Sequence, residues 1–238
     1  MAKKFELLAW SGGLPLCDDL WLGMHARNVA LVDQAMIRDI ENAVLEGFYE
    51  HEKVPMDLFM PLAALSQMWV FSLYEFLRTW RQRTKELIKL GDEYQGLREA
   101  ERKAFLDRAV AEAEERESLI RAAPKFYAEH VSRVGDLAFI KPLKEYLVTT
   151  ENLFRQTETV RMPLAKHEVA KTSKKPRAAE APGYARMNYA TGAVHWDCVL
   201  TDGSVLNVDR RELADEFLGI KDEAPGENGD IEGAATIE

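Results

Sequence analysis

The stretch that decides the fold runs from Leu58 to Leu90 and reads LFMPLAALSQMWVFSLYEFLRTWRQRTKELIKL. Its first two thirds are apolar on nearly every face of a helix, whereas its last third is basic. A helix that is apolar all round must be enclosed by other elements, because its surface has no side suited to water. The pattern therefore predicts the central helix of a helical domain.

The composition is that of a soluble globular protein, with 47% hydrophobic and 30% charged residues. The run Leu58–Leu77 approaches membrane-spanning length, but Asp57 at its start and Glu75 within it would be costly at bilayer depth. We therefore expect no membrane partner. The net charge of −9 argues against a surface that grips nucleic acid throughout, although it leaves room for a local basic patch. Cys17 and Cys198 form no CxxC pair, which favours free thiols in a reducing cytoplasm.

Helical spacing recurs before and after the central run, and residues 1–160 are predicted to form a bundle of about five helices. Residues 1–25 are expected to be irregular, and helices are expected over 28–49, 58–90, 95–122, 124–134 and 142–160. Pro142 is expected in the first turn of the last of these, where its missing N–H is harmless. The fold class is therefore mainly α.

The period of the apolar residues changes from 3.6 to 2 after residue 183, which predicts a small β-β-β-α unit over 184–220. Val194, Trp196, Cys198 and Leu200 are expected on one face of its middle strand. Asp209 is typical of a helix N-cap. The unit is smaller than cores that usually stand alone, so we expect it to dock on the helical domain or on a partner.

Two segments contain few large apolar residues that a core could bury. Residues 161–183 carry six basic residues against two acids, Glu168 and Glu180, and are predicted to be a flexible basic linker. Residues 221–238 are acidic and rich in Gly and Ala, which predicts a disordered tail.

A search for catalytic and ligand-binding motifs identifies no cofactor, metal or small-molecule site. The five histidines are scattered singly, and the sequence contains no HExxH, HxH or CxxC. No glycine-rich phosphate loop and no GxSxG elbow is present. An active site assembled from residues distant in sequence is left open.

Arg161 and His167 enclose five residues, in the segment Arg161-Met-Pro-Leu-Ala-Lys-His167. This spacing resembles the Arg-x4–6-His motif of HEPN-type helical ribonucleases, which are small helical bundles that usually pair. The resemblance implies that Arg161 would stabilise a phosphate and His167 would act on the 2′-hydroxyl. The polar residue that commonly follows the Arg is replaced by Met162, and Pro163 is expected to disrupt a helix through the motif.

The basic end of the central helix offers a second candidate site. Tyr74, Arg78, Trp80, Arg81 and Arg83 are candidate binding residues, because arginines supply forked donors to phosphates and Trp80 could stack on a base. The structural alternative is a buried Glu75–Arg78 pair that orients the core, with surface arginines beyond it, and positive charge at this helix end also suits the helix dipole.

These observations favour a non-catalytic cytoplasmic scaffold or adaptor that acts through protein–protein interaction, with another protein or its own copy as partner. The alternative is an RNA-binding protein, or a HEPN-like ribonuclease that uses Arg161 and His167.

Overall fold

The computed structural model describes residues 6–118, 125–166, 185–200 and 202–219. The chain is mainly helical, with a small antiparallel sheet and a closing helix near its C-terminus, as the sequence predicts. The helices are α1 (Leu7–Gly12), α2 (Leu20–Val32), α3 (Arg38–His51), α4 (Met56–Gly96), α5 (Glu99–Ser118), α6 (Phe126–Ser132), α7 (Leu137–Thr149), α8 (Glu151–Lys166) and α9 (Arg210–Leu218). A π-helical turn, Asp33–Ile37, joins α2 to α3. The strands are β1 (Ala185–Met187), β2 (Val194–Val199) and β3 (Val205–Asp209).

Helix α4 is the centre of the molecule and contacts α2, α3, α5, α6, α7, α8 and β2. From Trp69 to Leu87 it buries a residue in every turn, which confirms the predicted central helix. Its N-terminal part differs from that prediction, because Met60 and Met68 remain exposed. By length and composition alone, one 18-residue window of α4 is apolar enough to cross a membrane, and 33% of that window is buried. The core helix of a soluble protein passes the same test.

Several helix boundaries differ from the sequence prediction. Residues 1–25, expected to be irregular, contain α1 and the start of α2, whose N-cap Asp19 accepts the N–H groups of Trp21 and Leu22. The single helix expected over 142–160 is two helices, and Pro142 lies inside α7 instead of in a first turn. Helix α8 continues through Pro163 to Lys166, into the segment predicted as a linker. Packing along α4, which buries Leu153 and Val160, outweighs the local proline signal there.

The sheet has the order β1-β2-β3, and both pairs are antiparallel. Its register sets Trp196 of β2 opposite Ala185 of β1 and Val208 of β3. The predicted inward face of β2 is confirmed, since Val194, Trp196 and Cys198 are buried. Asp209 caps α9 as predicted, accepting the N–H groups of Arg211 and Glu212.

The β1–β2 hairpin packs on α3. Tyr189 stacks at a tilt on Phe48, with ring centroids 4.9 Å apart, and its carbonyl accepts a hydrogen bond from the hydroxyl of Tyr49. Gly192 lies so close to α3 that an added Cβ would stand 2.1 Å from the carbonyl oxygen of Glu41. The small sheet is therefore docked on the helices, as its size led us to expect.

Candidate functional site

The two aromatic residues of the predicted basic site are part of the core. Trp80 is buried, and its Nε1 donates a 2.7 Å hydrogen bond to the carbonyl of Pro15. Tyr74 is buried and stacks on Phe154 of α8, with ring centroids 5.6 Å apart. Neither ring is exposed on the surface of the basic end of α4, as stacking on an RNA base would require.

Arg81 joins α4 to the junction between α7 and α8. Its Nη1 donates to the carbonyl of Leu147 at 3.0 Å and to the hydroxyl of Thr150 at 3.2 Å, and its Nη2 is paired with Glu151. The guanidinium also lies 4.8 Å from the centre of the Phe154 ring. Because Leu147 is in the last turn of α7, Arg81 satisfies a helix-terminal carbonyl and complements the helix dipole.

The other two arginines of the predicted site differ in exposure. Arg83 pairs with Asp19, the buried cap of α2, and so ties α4 to the start of that helix. Arg78 forms a 2.8 Å pair with Glu75, and 49% of its side chain is exposed. Arg78 is therefore the most accessible of the three guanidinium groups, and ligand binding by this set stays a prediction.

Arg161 lies beside the same region. Its guanidinium is 4.8 Å from the centre of the Tyr74 ring and 3.6 Å from Glu75. His167, its predicted partner, lies outside the described residues. Arg161 therefore has a structural role between α8 and α4, and the Arg161–His167 ribonuclease hypothesis stays a prediction.

A buried cluster of charges, which the sequence did not reveal, holds the β-β-β-α unit against the π-helical turn and α3. This ionic cluster contains three carboxylates and three guanidinium groups, those of Asp33, Glu41, Asp215, Arg38, Arg210 and Arg211. The charges balance, as burial requires. Asp33, Glu41 and Arg210 are each completely buried.

Arg210 lies at the centre of the ionic cluster, between Asp33 and Glu41. Its Nη2 is 2.5 Å from Glu41 Oε1. The two groups form an ion pair, but their atoms are not aligned for a hydrogen bond. Its guanidinium also lies 5.4 Å from the centre of the Trp69 ring. Asp33 and Glu41 are also contacted by Arg38 Nε, 2.8 Å from Asp33, and by Arg211 Nε, 2.6 Å from Glu41.

The two central carboxylates respond differently to burial. Burial opposes the ionisation of Asp33, but Arg210 and Arg38 outweigh it and hold the pKa of that carboxyl below its ordinary value. Burial raises the pKa of Glu41 despite the attraction of Arg210 and Arg211. The cluster thus stabilises the ionised form of Asp33 more effectively than that of Glu41.

One signal in the sequence points to this cluster in retrospect. Arg210 and Arg211 occupy the first turn of α9, where the helix dipole disfavours positive charge. Two arginines at that place indicate that acids from another element compensate them. The separation of 177 residues between Asp33 and Arg210 hides the identity of those acids from any local pattern.

An apolar pocket of about 410 Å³ opens between α1, α4, the α7–α8 junction and α9. Its aromatic lining consists of Trp10, Phe76, Trp80, Tyr146 and Phe217. Leu14, Leu77 and Leu153 add aliphatic surface, and Thr149, Thr150 and Glu216 supply its polar groups. The volume and the lining are typical of small-molecule sites.

Helices α2 and α4 are neighbours, and each exposes several large apolar side chains. The His25 ring is 3.2 Å from the Ser72 hydroxyl, and Trp69 Nε1 donates to the carbonyl of Val29, so the helices lie side by side and run antiparallel. Their exposed large apolar side chains include Trp21, Met24, Leu31, Met60 and Met68, which we call the methionine face.

Within the ranges that the structure describes, no three histidine, cysteine or carboxylate side chains gather in a way that could hold a metal ion. No family model, curated protein or solved structure matches this chain.

Proposed function

We propose that the protein is a non-catalytic scaffold that acts through protein–protein interaction, and that the methionine face binds a second copy of this chain. The observation that carries the proposal is the exposure of large apolar residues on two adjacent helices. Met68 is 67% exposed, Met60 is 61% exposed and Trp21 is 54% exposed. Scattered single apolar residues need no explanation, but several on one pair of helices favour an interaction surface.

The chemistry of the face suits contact with a copy of itself. Methionine side chains are unbranched and polarizable, so they adapt to one another across an interface. Full burial of a side chain of this size contributes about 1.5–3 kcal/mol. In a two-fold dimer the same residue is buried in both copies, so each contributes two times. Contacts of this kind offset the loss of translational and rotational freedom on association.

The buried charged side chains also bear on the proposal, because their partners lie within the same chain. The ionic cluster and the Arg81 and Arg83 contacts join elements of the chain to one another. Their geometry serves the packing of the scaffold. These charged groups are therefore used within the chain.

Sedimentation velocity over a range of protein concentrations tests the proposal. The wild type is expected to sediment as a dimer at micromolar concentration, and Met60→Glu with Met68→Glu to sediment as a monomer with unchanged helicity by circular dichroism. Val148→Glu is the matched control, because Val148 is 77% exposed on α7 and lies outside the methionine face. A wild type that stays monomeric at high concentration, or a Val148→Glu variant that dissociates equally, would contradict the proposal.

RNA binding is the second candidate function. It is supported by the two partly exposed guanidinium groups of Arg78 and Arg161, which flank Glu75. Phosphate contacts by these groups would make the affinity fall steeply with salt. Arg78→Ala is expected to weaken binding of a single-stranded RNA oligonucleotide at low salt, with Arg98→Ala as the exposed control. Equal effects of the two variants, or no binding at any salt concentration, would remove this candidate.

A further inference from the structure

We infer that the pocket between α1, α4, the α7–α8 junction and α9 is a binding site for an organic cation with an apolar body, such as an aryl-alkyl quaternary ammonium. The inference rests on two properties of the described lining, its aromatic walls and its single charged group. It does not depend on the proposed function, since the pocket and the methionine face have no lining residue in common.

The walls are formed by aromatic rings that hold one another in place. Phe217 contacts Trp10 edge to face at a centroid distance of 5.1 Å and contacts Phe76 at 5.6 Å. Across the pocket lining, Trp80 and Tyr146 form another edge-to-face pair at 5.9 Å. A cation over the face of an aromatic ring is attracted to its negative electrostatic potential, and five aromatic residues line this one cavity.

Most of these rings belong to the core and are held in position before any ligand arrives. Phe76, Trp80 and Phe217 are buried, and the indole N–H of Trp80 is already used by the carbonyl of Pro15. A ligand therefore meets preformed apolar walls and a small number of polar groups. Preformed walls lower the cost of ordering the site on binding.

Glu216 supplies the charge. Among the described residues that line the pocket, it is the only Asp, Glu, Lys or Arg. Asn152 and the backbone N–H of Leu153, at the start of α8, interact with its carboxylate and lower its pKa. Glu216 is an exposed residue, and partial burial of its carboxyl raises its pKa. A bound cation would stabilise the ionised form of this carboxylate.

The nearby guanidinium of Arg81 is not the counter-charge of Glu216. Arg81 lies behind Thr150, and its donors are used by Leu147, Thr150 and Glu151. The protein as a whole carries a net charge of −9, which also favours cations over anions near the site.

Tryptophan fluorescence and calorimetric titration of the full chain test the inference with three probes of similar shape. The probes are benzyltrimethylammonium, its uncharged isostere neopentylbenzene, and the anion phenylacetate. We expect benzyltrimethylammonium to bind at least about tenfold more tightly than neopentylbenzene, because the cation gains both the aromatic faces and the carboxylate. Phenylacetate is expected to bind more weakly than either.

Two pairs of variants separate charge from volume. Glu216→Gln keeps an oxygen acceptor for Leu153 and is expected to remove the preference for the cation, whereas Glu50→Gln makes the same charge change at an exposed site on α3 and is expected to preserve it. Ala9→Trp would fill the pocket from α1 and abolish binding of all probes, whereas Leu8→Trp points away from the lining and would not.

Preference for the cation that is lost in Glu216→Gln and Ala9→Trp, and kept in both controls, supports the inference. Equal affinity for the charged and uncharged probes, tighter binding of phenylacetate, or no binding of any probe at millimolar concentration would overturn it. The same holds if Glu50→Gln lowers the preference as much as Glu216→Gln, because the effect would then come from net charge alone.

Discussion

Replacement of Arg210 by methionine tests how the β-β-β-α unit is held on the helices. Arg210 is completely buried and faces the buried carboxylates of Asp33 and Glu41. Methionine retains much of the side-chain volume but leaves two carboxylates short of a counter-charge. Removal of one partner from a buried ion pair typically costs about 3–5 kcal/mol.

The expected magnitude lies near the lower end of that range, about 3 kcal/mol, because Arg38 still contacts Asp33 and Arg211 still contacts Glu41. Such a loss is a large share of the roughly 5–15 kcal/mol by which domains are stable. Urea unfolding followed by circular dichroism at pH 7 measures it. Arg98→Met is the control, since Arg98 pairs with Glu101 on the surface and such exposed pairs contribute little to stability.

A combined variant separates charge from shape. Arg210→Met together with Asp33→Asn and Glu41→Gln removes one arginine and both central carboxylate charges, so we expect it to recover part of the lost free energy of unfolding. The recovery is partial because Arg38, Arg211 and Asp215 remain, and Arg211 loses the carboxylate of Glu41. If Arg210→Met alone lowers the free energy of unfolding by less than about 1 kcal/mol, the reasoning is refuted, because a buried carboxylate that loses its counter-charge should cost more than that.

Three further predictions follow from single residues. Gly192→Ala should lower the unfolding free energy well beyond the loss of about 1 kcal/mol expected for Gly203→Ala, because both glycines have positive φ but only the first would clash, with the carbonyl of Glu41. The pKa of the Asp33 carboxyl is lower in the folded protein than in the unfolded chain, where it is about 4. The ionised carboxylate therefore stabilises the fold above about pH 4, and this stabilisation is lost as the pH falls through the folded pKa. In urea unfolding measured across this pH range, Asp33→Asn should reduce the fall in the free energy of unfolding at acid pH. Burial raises the pKa of Cys17 to about 12, so native protein should resist iodoacetamide at Cys17 at pH 8, as checked by peptide mass spectrometry, and rapid modification there would contradict its burial.

The sequence predicts the parts of this fold that depend on local periodicity. The run that is apolar on nearly every face around Trp69 and the period of 2 around Trp196 identify a central helix and a small sheet, and both are confirmed. The ends of helices are predicted less well where packing competes with local signals. Pro142 and Pro163 are tolerated inside helices that pack against α4.

The candidate sites depend on contacts between distant residues, and that is why the sequence misses them. Arg81 and Trp80 look like exposed binding groups in the sequence, but their partners, Leu147 and Pro15, lie 66 and 65 residues away. The ionic cluster and the aromatic pocket are likewise assembled from both ends of the chain. Neither has a local motif.

The most direct test of the central claim places a photo-crosslinking amino acid, p-benzoylphenylalanine, at Met68 of the methionine face and, as a control, at Val148 of α7. On irradiation at micromolar concentration, the Met68 position is expected to give a covalent dimer whose crosslinked peptides come from α2 or α4 of a second copy. The Val148 position is expected to stay monomeric. Absence of the dimer at Met68, or equal dimer formation at both positions, would contradict the account.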